Sequence, residues 1–212
     1  MGSAARSRSD VCFVEPRDDI RIIVNIPGRY SLASKLDMKG ARREFACRVI
    51  NMSTRRMGLV VPVRGRLGER VITYIPRFGK LDGNITRYFQ QGFVMSINGT
   101  QEFRFKLAAK LDWLEKHKNH DLTEGRRHIR IVPRNPYSSL TLPGGHRVAC
   151  LVMDMSVSGA GVSADADLRM GARVRVGHVT GRVVRAFKEG FAVQFDAVQK
   201  VERLEQSVIA YS

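Results

Sequence analysis

The chain has 212 residues, 43% of them hydrophobic, with 36 Lys/Arg against 20 Asp/Glu, a formal net charge of +16 and a pI near 10.6. This is enough apolar material for one large packed domain or two ordinary ones, and the charge favours anionic partners such as nucleotides, nucleic acid, acidic membrane surfaces or acidic proteins. Three cysteines (Cys12, Cys47 and Cys150) exclude a disulfide framework and lack metal-ligand spacing, and no apolar run approaches a membrane span, so a reduced cytoplasm is the expected setting.

The first ten residues are rich in Ser, Arg and Ala without an apolar stretch, so no secretory signal is expected and residues 1–11 are read as a flexible tail. Short runs with alternating polarity come next at 21–26, 45–51, 58–63, 70–75, 83–89 and 92–98, split by glycine-containing turns such as Gln90-Gln91-Gly92. Phe103, Leu107, Ala108, Leu111 and Leu114 then recur at helical spacing, with Lys106, Lys110 and Lys116 off that face, which predicts a packed helix over 102–116. Lys116 to Glu124 is polar and reads as a linker, with His117 and His120 solvated rather than ligating. A second strand set is expected at 129–134, 146–153, 160–164, 172–178, 181–187 and 190–195, closed by another helical stripe of Val198, Val201, Leu204, Val208 and Ile209.

The two strand sets are copies of one another. Phe45-Ala-Cys-Arg-Val-Ile-Asn-Met-Ser53 aligns without a gap on Val148-Ala-Cys-Leu-Val-Met-Asp-Met-Ser156 at an offset of 103, with Ala, Cys, Val, Met and Ser identical in register. Gly68-Glu-Arg-Val71 meets Gly171-Ala-Arg-Val174. Gly83-Asn-Ile-Thr-Arg-Tyr-Phe meets Gly181-Arg-Val-Val-Arg-Ala-Phe. Evenly spaced short strands of this kind predict small closed barrels. The expected fold is therefore all-β with accessory helices: two six-stranded barrels in tandem, each followed by an α-helix. Cys47 and Cys150 share a strand phase with Val49 and Val152 and are expected in the cores.

Two motifs in the second half carry the chemistry. Arg126-Arg127-His128-Ile129-Arg130 sets two arginines four residues apart, and Asp154-Met155-Ser156-Val157-Ser158-Gly159 lies further along the same copy. In this order and inside a barrel pattern they resemble the RxxxR and (D/N)xSxxG motifs of the PilZ domain, a bacterial β-barrel that binds cyclic di-GMP, over about Glu124 to Phe195. The resemblance implies a cyclic di-GMP site made by Arg126, Arg127, Arg130, Asp154, Ser156 and Gly159, with no catalytic residue, no metal and no cofactor. The residue types suit that ligand. An arginine fork matches the O6 and N7 acceptors of guanine or bridges a phosphate, and a carboxylate accepts from guanine N1 and N2. Ser156 falls on the same strand face as Asp154, and Gly159 lets ligand and backbone approach closely.

The first copy keeps Asn51 and Ser53 but carries Arg56 where the second has Gly159, and its Arg17 and Arg21 enclose Asp18 and Asp19. It is expected not to bind cyclic di-GMP alone. Capping the ligand site, dimerising and contacting a downstream protein all remain open for it. The expected division is 1–11 tail, 12–118 degenerate barrel plus helix, 119–125 linker, and 126–212 ligand-binding barrel plus C-terminal helix.

The expected function is a non-enzymatic receptor that reorients its first barrel on binding the dinucleotide. By resemblance its output is control of motility, exopolysaccharide or virulence. The rival reading is a nucleic-acid-binding protein using its basic surface; residues 1–121 carry 23 Lys/Arg against 12 Asp/Glu, and residues 122–212 carry 13 against 8. Against that rival, the strands lack an aromatic stacking platform.

Overall fold

The computed structural model describes residues 22–117 and 130–210. The first copy forms a closed antiparallel barrel of β1 (Ile22–Leu36), β2 (Arg42–Met52), β3 (Arg56–Val60), β4 (Arg70–Ile75), β5 (Gly79–Phe89) and β6 (Gly92–Ser96), ordered β1-β2-β3-β6-β5-β4. The second repeats it with β7 (Tyr137–Thr141), β8 (Arg147–Ser156), β9 (Gly159–Ala164), β10 (Arg173–Val176), β11 (Val179–Phe187) and β12 (Gly190–Phe195), ordered β10-β11-β12-β9-β8-β7. Closure leaves no open sheet edge, and inward side chains fill each interior. The first core holds Tyr30, Phe45, Cys47, Val49, Leu59 and Phe93; the second holds Cys150, Val152, Val162, Val183 and Val193. Both cysteines are buried as expected, and burial raises both thiol pKa values, that of Cys150 to about 12.

Helix α1 (Gln101–Lys116) is capped by Thr100, whose side chain accepts from the Phe103 amide at 3.2 Å. It buries Leu107 and Leu111 against the first barrel with Phe103 and Leu114 beside them, while Ala108, expected on that stripe, is exposed. Two expectations for the second copy need correction. Residues 129–134 do not give its first strand; among those described, only Ile131 pairs, in an isolated bridge with Met155, and the strand comes later as β7. Pro133 and Pro136 offer no N–H to a ladder, so residues 130–136 run as an irregular strap. The C-terminal stripe is also shorter than expected. A 3-10 turn at Val201–Arg203 leads into α2 (Leu204–Val208), which buries only its two end residues, and Val198 and Val201 stay 75% and 58% exposed. The tail expected at 1–11 and the linker at 119–125 lie outside the described residues.

Both copies bulge at the same place. In β8 the pairing steps from Val152↔Val162 to Asp154↔Gly161, leaving Met153 as the extra residue; in β2 it steps from Val49↔Leu59 to Asn51↔Gly58, leaving Ile50. An extra residue reverses the inside–outside phase of the rest of the strand. Val152 and Met155 therefore both point inward, and Asp154 and Ser156 face out.

The barrels meet at β2, which packs on β8, the strand that the repeat makes its equivalent, and on β9 and β12. Ala46 and Val60 pack with Leu151, flanked by Ile50, Phe89, Tyr137 and Met153. The Ala46 amide donates to Ser163 Oγ at 2.9 Å. Around this apolar patch run ion pairs of Lys35 and Arg43 with Asp165, Arg43 with Asp167, and Lys188 with Glu44. This explains why β2 is buried without alternation from Phe45 to Val49: one face lines its own core and the other meets its neighbour.

Candidate ligand-binding site

The bulge at Met153 brings Asp154 to the outer face of the second barrel, and the strap brings Arg130 to it. Ile131 and Met155 exchange two backbone hydrogen bonds, Ile131 N to Met155 O at 2.7 Å and Met155 N to Ile131 O at 2.9 Å. That pair holds Arg130 so that its Nη1 donates to both carboxylate oxygens of Asp154, at 2.9 and 2.8 Å. The side chains stay 48% and 30% exposed. A pair this accessible to water contributes only about 0.2–1 kcal/mol, so it positions two charged groups more than it stabilises the barrel.

Ser156 Oγ lies 3.3 Å from Ser158 Oγ and donates weakly to the Gly159 carbonyl at 3.4 Å, which ties the turn between β8 and β9. Gly159 is also constrained by a backbone neighbour. A Cβ there would lie 2.5 Å from the Val193 carbonyl oxygen, so the glycine is required by the close approach of β12. The residue that faces the carboxylate is Gly161, where a Cβ would stand 3.2 Å from Asp154 Oδ1. Together these residues line a concavity of about 580 Å³. Val184 and Phe187 add apolar wall; Arg185, Glu189 and Gln194 add polar groups. A volume in the hundreds of Å³, an apolar wall and a few convergent polar groups are the usual make-up of a small-molecule site.

Arg130, Asp154, Ser156 and Gly159 are thus brought to one rim; Arg126 and Arg127 lie outside the described residues. Sequence reading missed Gly161 and Arg185. Both had a signal in the repeat, since Gly58 and Arg87 occupy their places in the first copy.

The first copy preserves the frame with other chemistry. Asn51 stands against Gly58, where a Cβ would meet its amide nitrogen at 2.9 Å, and the Arg56 amide donates to Ser53 Oγ at 3.1 Å. Arg56 pairs with Ser96 in β6 and is exposed. The spacing there accepts the side chain that Gly159 cannot have. Arg17 and Arg21 lie outside the described residues.

A family model described as the PilZ domain matches residues 124–211. No curated protein sequence matches. Among solved structures, the Borreliella burgdorferi PlzA protein in complex with c-di-GMP is 11% identical, with 89% of this chain and 91% of that chain covered and a TM-score of 0.26. YcgR in complex with c-di-GMP from Escherichia coli is 14% identical over 86% and 80%, at 0.29. The Bacillus subtilis inhibitor of motility is 9% identical over 89% and 94%, at 0.28.

Proposed function

We propose that this chain, whose residues 124–211 are a PilZ domain, is a non-enzymatic cyclic di-GMP receptor that binds the dinucleotide on its second barrel and repositions the first to signal to a protein partner. The observation that carries the reading is the convergence of Arg130 and Asp154, 24 residues apart, at 2.8 Å on the rim of one concavity. Arg130 uses one guanidinium nitrogen on Asp154; among the described residues its other nitrogens have no protein partner and are available to a phosphate or a guanine edge. Arg126 and Arg127 complete the basic set, Asp154 reads guanine donors, and Ser156 and Gly159 shape the turn beneath. The strap runs directly from the RxxxR segment to β7, so ligand binding there is transmitted to whatever the strap touches, which includes the first barrel. Motility, exopolysaccharide or virulence control is the corresponding output.

Calorimetric titration with cyclic di-GMP tests this. A hydrogen bond to a charged group contributes roughly 1.5–3 kcal/mol, so Arg126→Ala, Arg130→Ala and Asp154→Ala each weaken binding by about tenfold to a hundredfold or more. The fragment 1–118 does not bind at concentrations that saturate the whole chain. Unchanged affinity in all three variants ends the assignment. The net charge of +16 keeps nucleic-acid binding as the second reading. A log-affinity for DNA that falls steeply with log salt, with no response to cyclic di-GMP, is its signature.

A further inference from the structure

Arg48, on the outward face of β2, is 2% exposed and lies among the largest fully buried side chains of the molecule. Its guanidinium crosses to the second barrel, where Nη1 donates to the Pro133 carbonyl at 2.7 Å and Nη2 to the Met153 carbonyl at 3.4 Å. Nε is buried without a partner, and among the described residues no carboxylate pairs with the charge. Burial pushes its pKa down from the usual arginine value.

A buried cation answered only by carbonyls is costly. The fold does not demand it. The repeat-equivalent position in β8 is Leu151, 1% exposed, which packs in the same interface with no polar group to satisfy. An apolar residue at position 48 would meet the packing requirement, so the charge answers some other need.

The two carbonyls that the guanidinium joins identify that need. Pro133 belongs to the strap, three residues after Arg130. Met153 is the bulged residue immediately before Asp154. One fork from the first barrel thus holds both backbone segments that bring Arg130 and Asp154 to 2.8 Å. The strap has few other ties: the Ile131–Met155 exchange, the Val152 amide to the Pro136 carbonyl at 2.7 Å, and the Arg134 amide to Glu205 Oε1 at 2.9 Å.

We infer that Arg48 is a positioning residue of the dinucleotide site: the first barrel, without contacting the ligand, fixes the spacing between the strap arginine and the bulge aspartate. The inference rests on the proposed cyclic di-GMP reading.

The test is a double-mutant cycle in the full chain, read by cyclic di-GMP titration. Arg48→Met keeps the length and removes the fork; it weakens binding at least tenfold. Arg43→Ala is the control. It removes contacts of similar number to Asp165, Ala166 and Asp167 across the same interface but away from strap and bulge, and its affinity stays within threefold of the parent. In an Asp154→Ala background, Arg48→Met costs less than twofold, because the group it positions is gone. Arg48→Lys falls between parent and methionine variant, and it carries the test if the methionine variant does not fold. A parent-like titration by Arg48→Met, or an equal loss in Arg43→Ala, overturns the positioning role while leaving the ligand assignment intact. A parent that does not bind cyclic di-GMP overturns both.

Discussion

Single residues in this molecule are constrained mostly by the backbone beside them, and this separates groups that look alike in the motif. Gly159 and Gly161 are two residues apart, yet a methyl group on the first meets a carbonyl of β12 at 2.5 Å and on the second meets the Asp154 carboxylate at 3.2 Å. Gly159→Ala is therefore expected to cost about 1–3 kcal/mol by overpacking, seen as a lower melting temperature. Gly161→Ala is expected to melt near the parent and to lose cyclic di-GMP affinity, because the carboxylate must shift and the strands need not. Thermal melts and titrations of the two variants distinguish these outcomes. The buried thiols give a second expectation. Burial lifts the Cys150 pKa to about 12, whereas in the unfolded chain a thiol ionises near about 8.5. Above that value the unfolded state releases a proton that the folded state keeps, so the contribution is intact below about pH 8.5 and is lost progressively as pH rises towards 12. Urea unfolding at pH 7.5 and pH 10 should show a loss that Cys150→Ala reduces. At pH 8 neither Cys47 nor Cys150 should react with iodoacetamide until the protein is denatured.

At the level of strands, the β8 bulge decides whether there is a site at all. Strict alternation from Cys150 through Val152 would turn Asp154 into the core; the extra Met153 turns it out. Deleting Met153 makes Asp154 follow Val152 directly, opposite the same Gly161, so the carboxylate should stay outward and unfolding should stay cooperative, while loss of the bulge's local bend and twist re-aims the carboxylate and weakens ligand binding. Circular dichroism melts with titration check this, and a deletion that binds as the parent does would show that the bulge is dispensable. The bulge also marks the limit of what is legible in the sequence. Barrel number, strand count and the buried cysteines are readable from the repeat and its alternation, because closed sheets impose a period of two on most of the chain. Asp154 and Ser156 do share one face, as their spacing predicts, since their relation lies wholly beyond the bulge. The strap at 130–136 reads as a strand because Ile131 and Val132 are β-formers, whereas Pro133 and Pro136 withhold the donors a ladder needs. The C-terminal stripe reads as a long helix from valines that prove exposed. The neighbour of Gly159 is set by β12, 34 residues away, which no local pattern reports.

For the whole molecule, the interface combines a small apolar centre with ion pairs at its border. Such borders weaken with salt while the centre does not. A fragment carrying only residues 126–212 would expose Tyr137, Leu151 and Met153 together and is expected to self-associate, with sedimentation velocity as the check and Leu151→Asp as the variant that restores the monomer. The two copies meet in part through equivalent strands, β2 and β8, as the subunits of a two-fold dimer do. In such a dimer, however, every position on the shared face must be the same residue twice. Arg48 in one copy and Leu151 in the other break that identity: two arginines would set like charges against each other without water, and two leucines would leave the Pro133 and Met153 carbonyls without this donor. Joining the copies in one polypeptide is what permits the difference. The tandem chain can thus divide its labour, one half supplying the clamp and the other the cradle, in a way that an assembly of identical subunits could not.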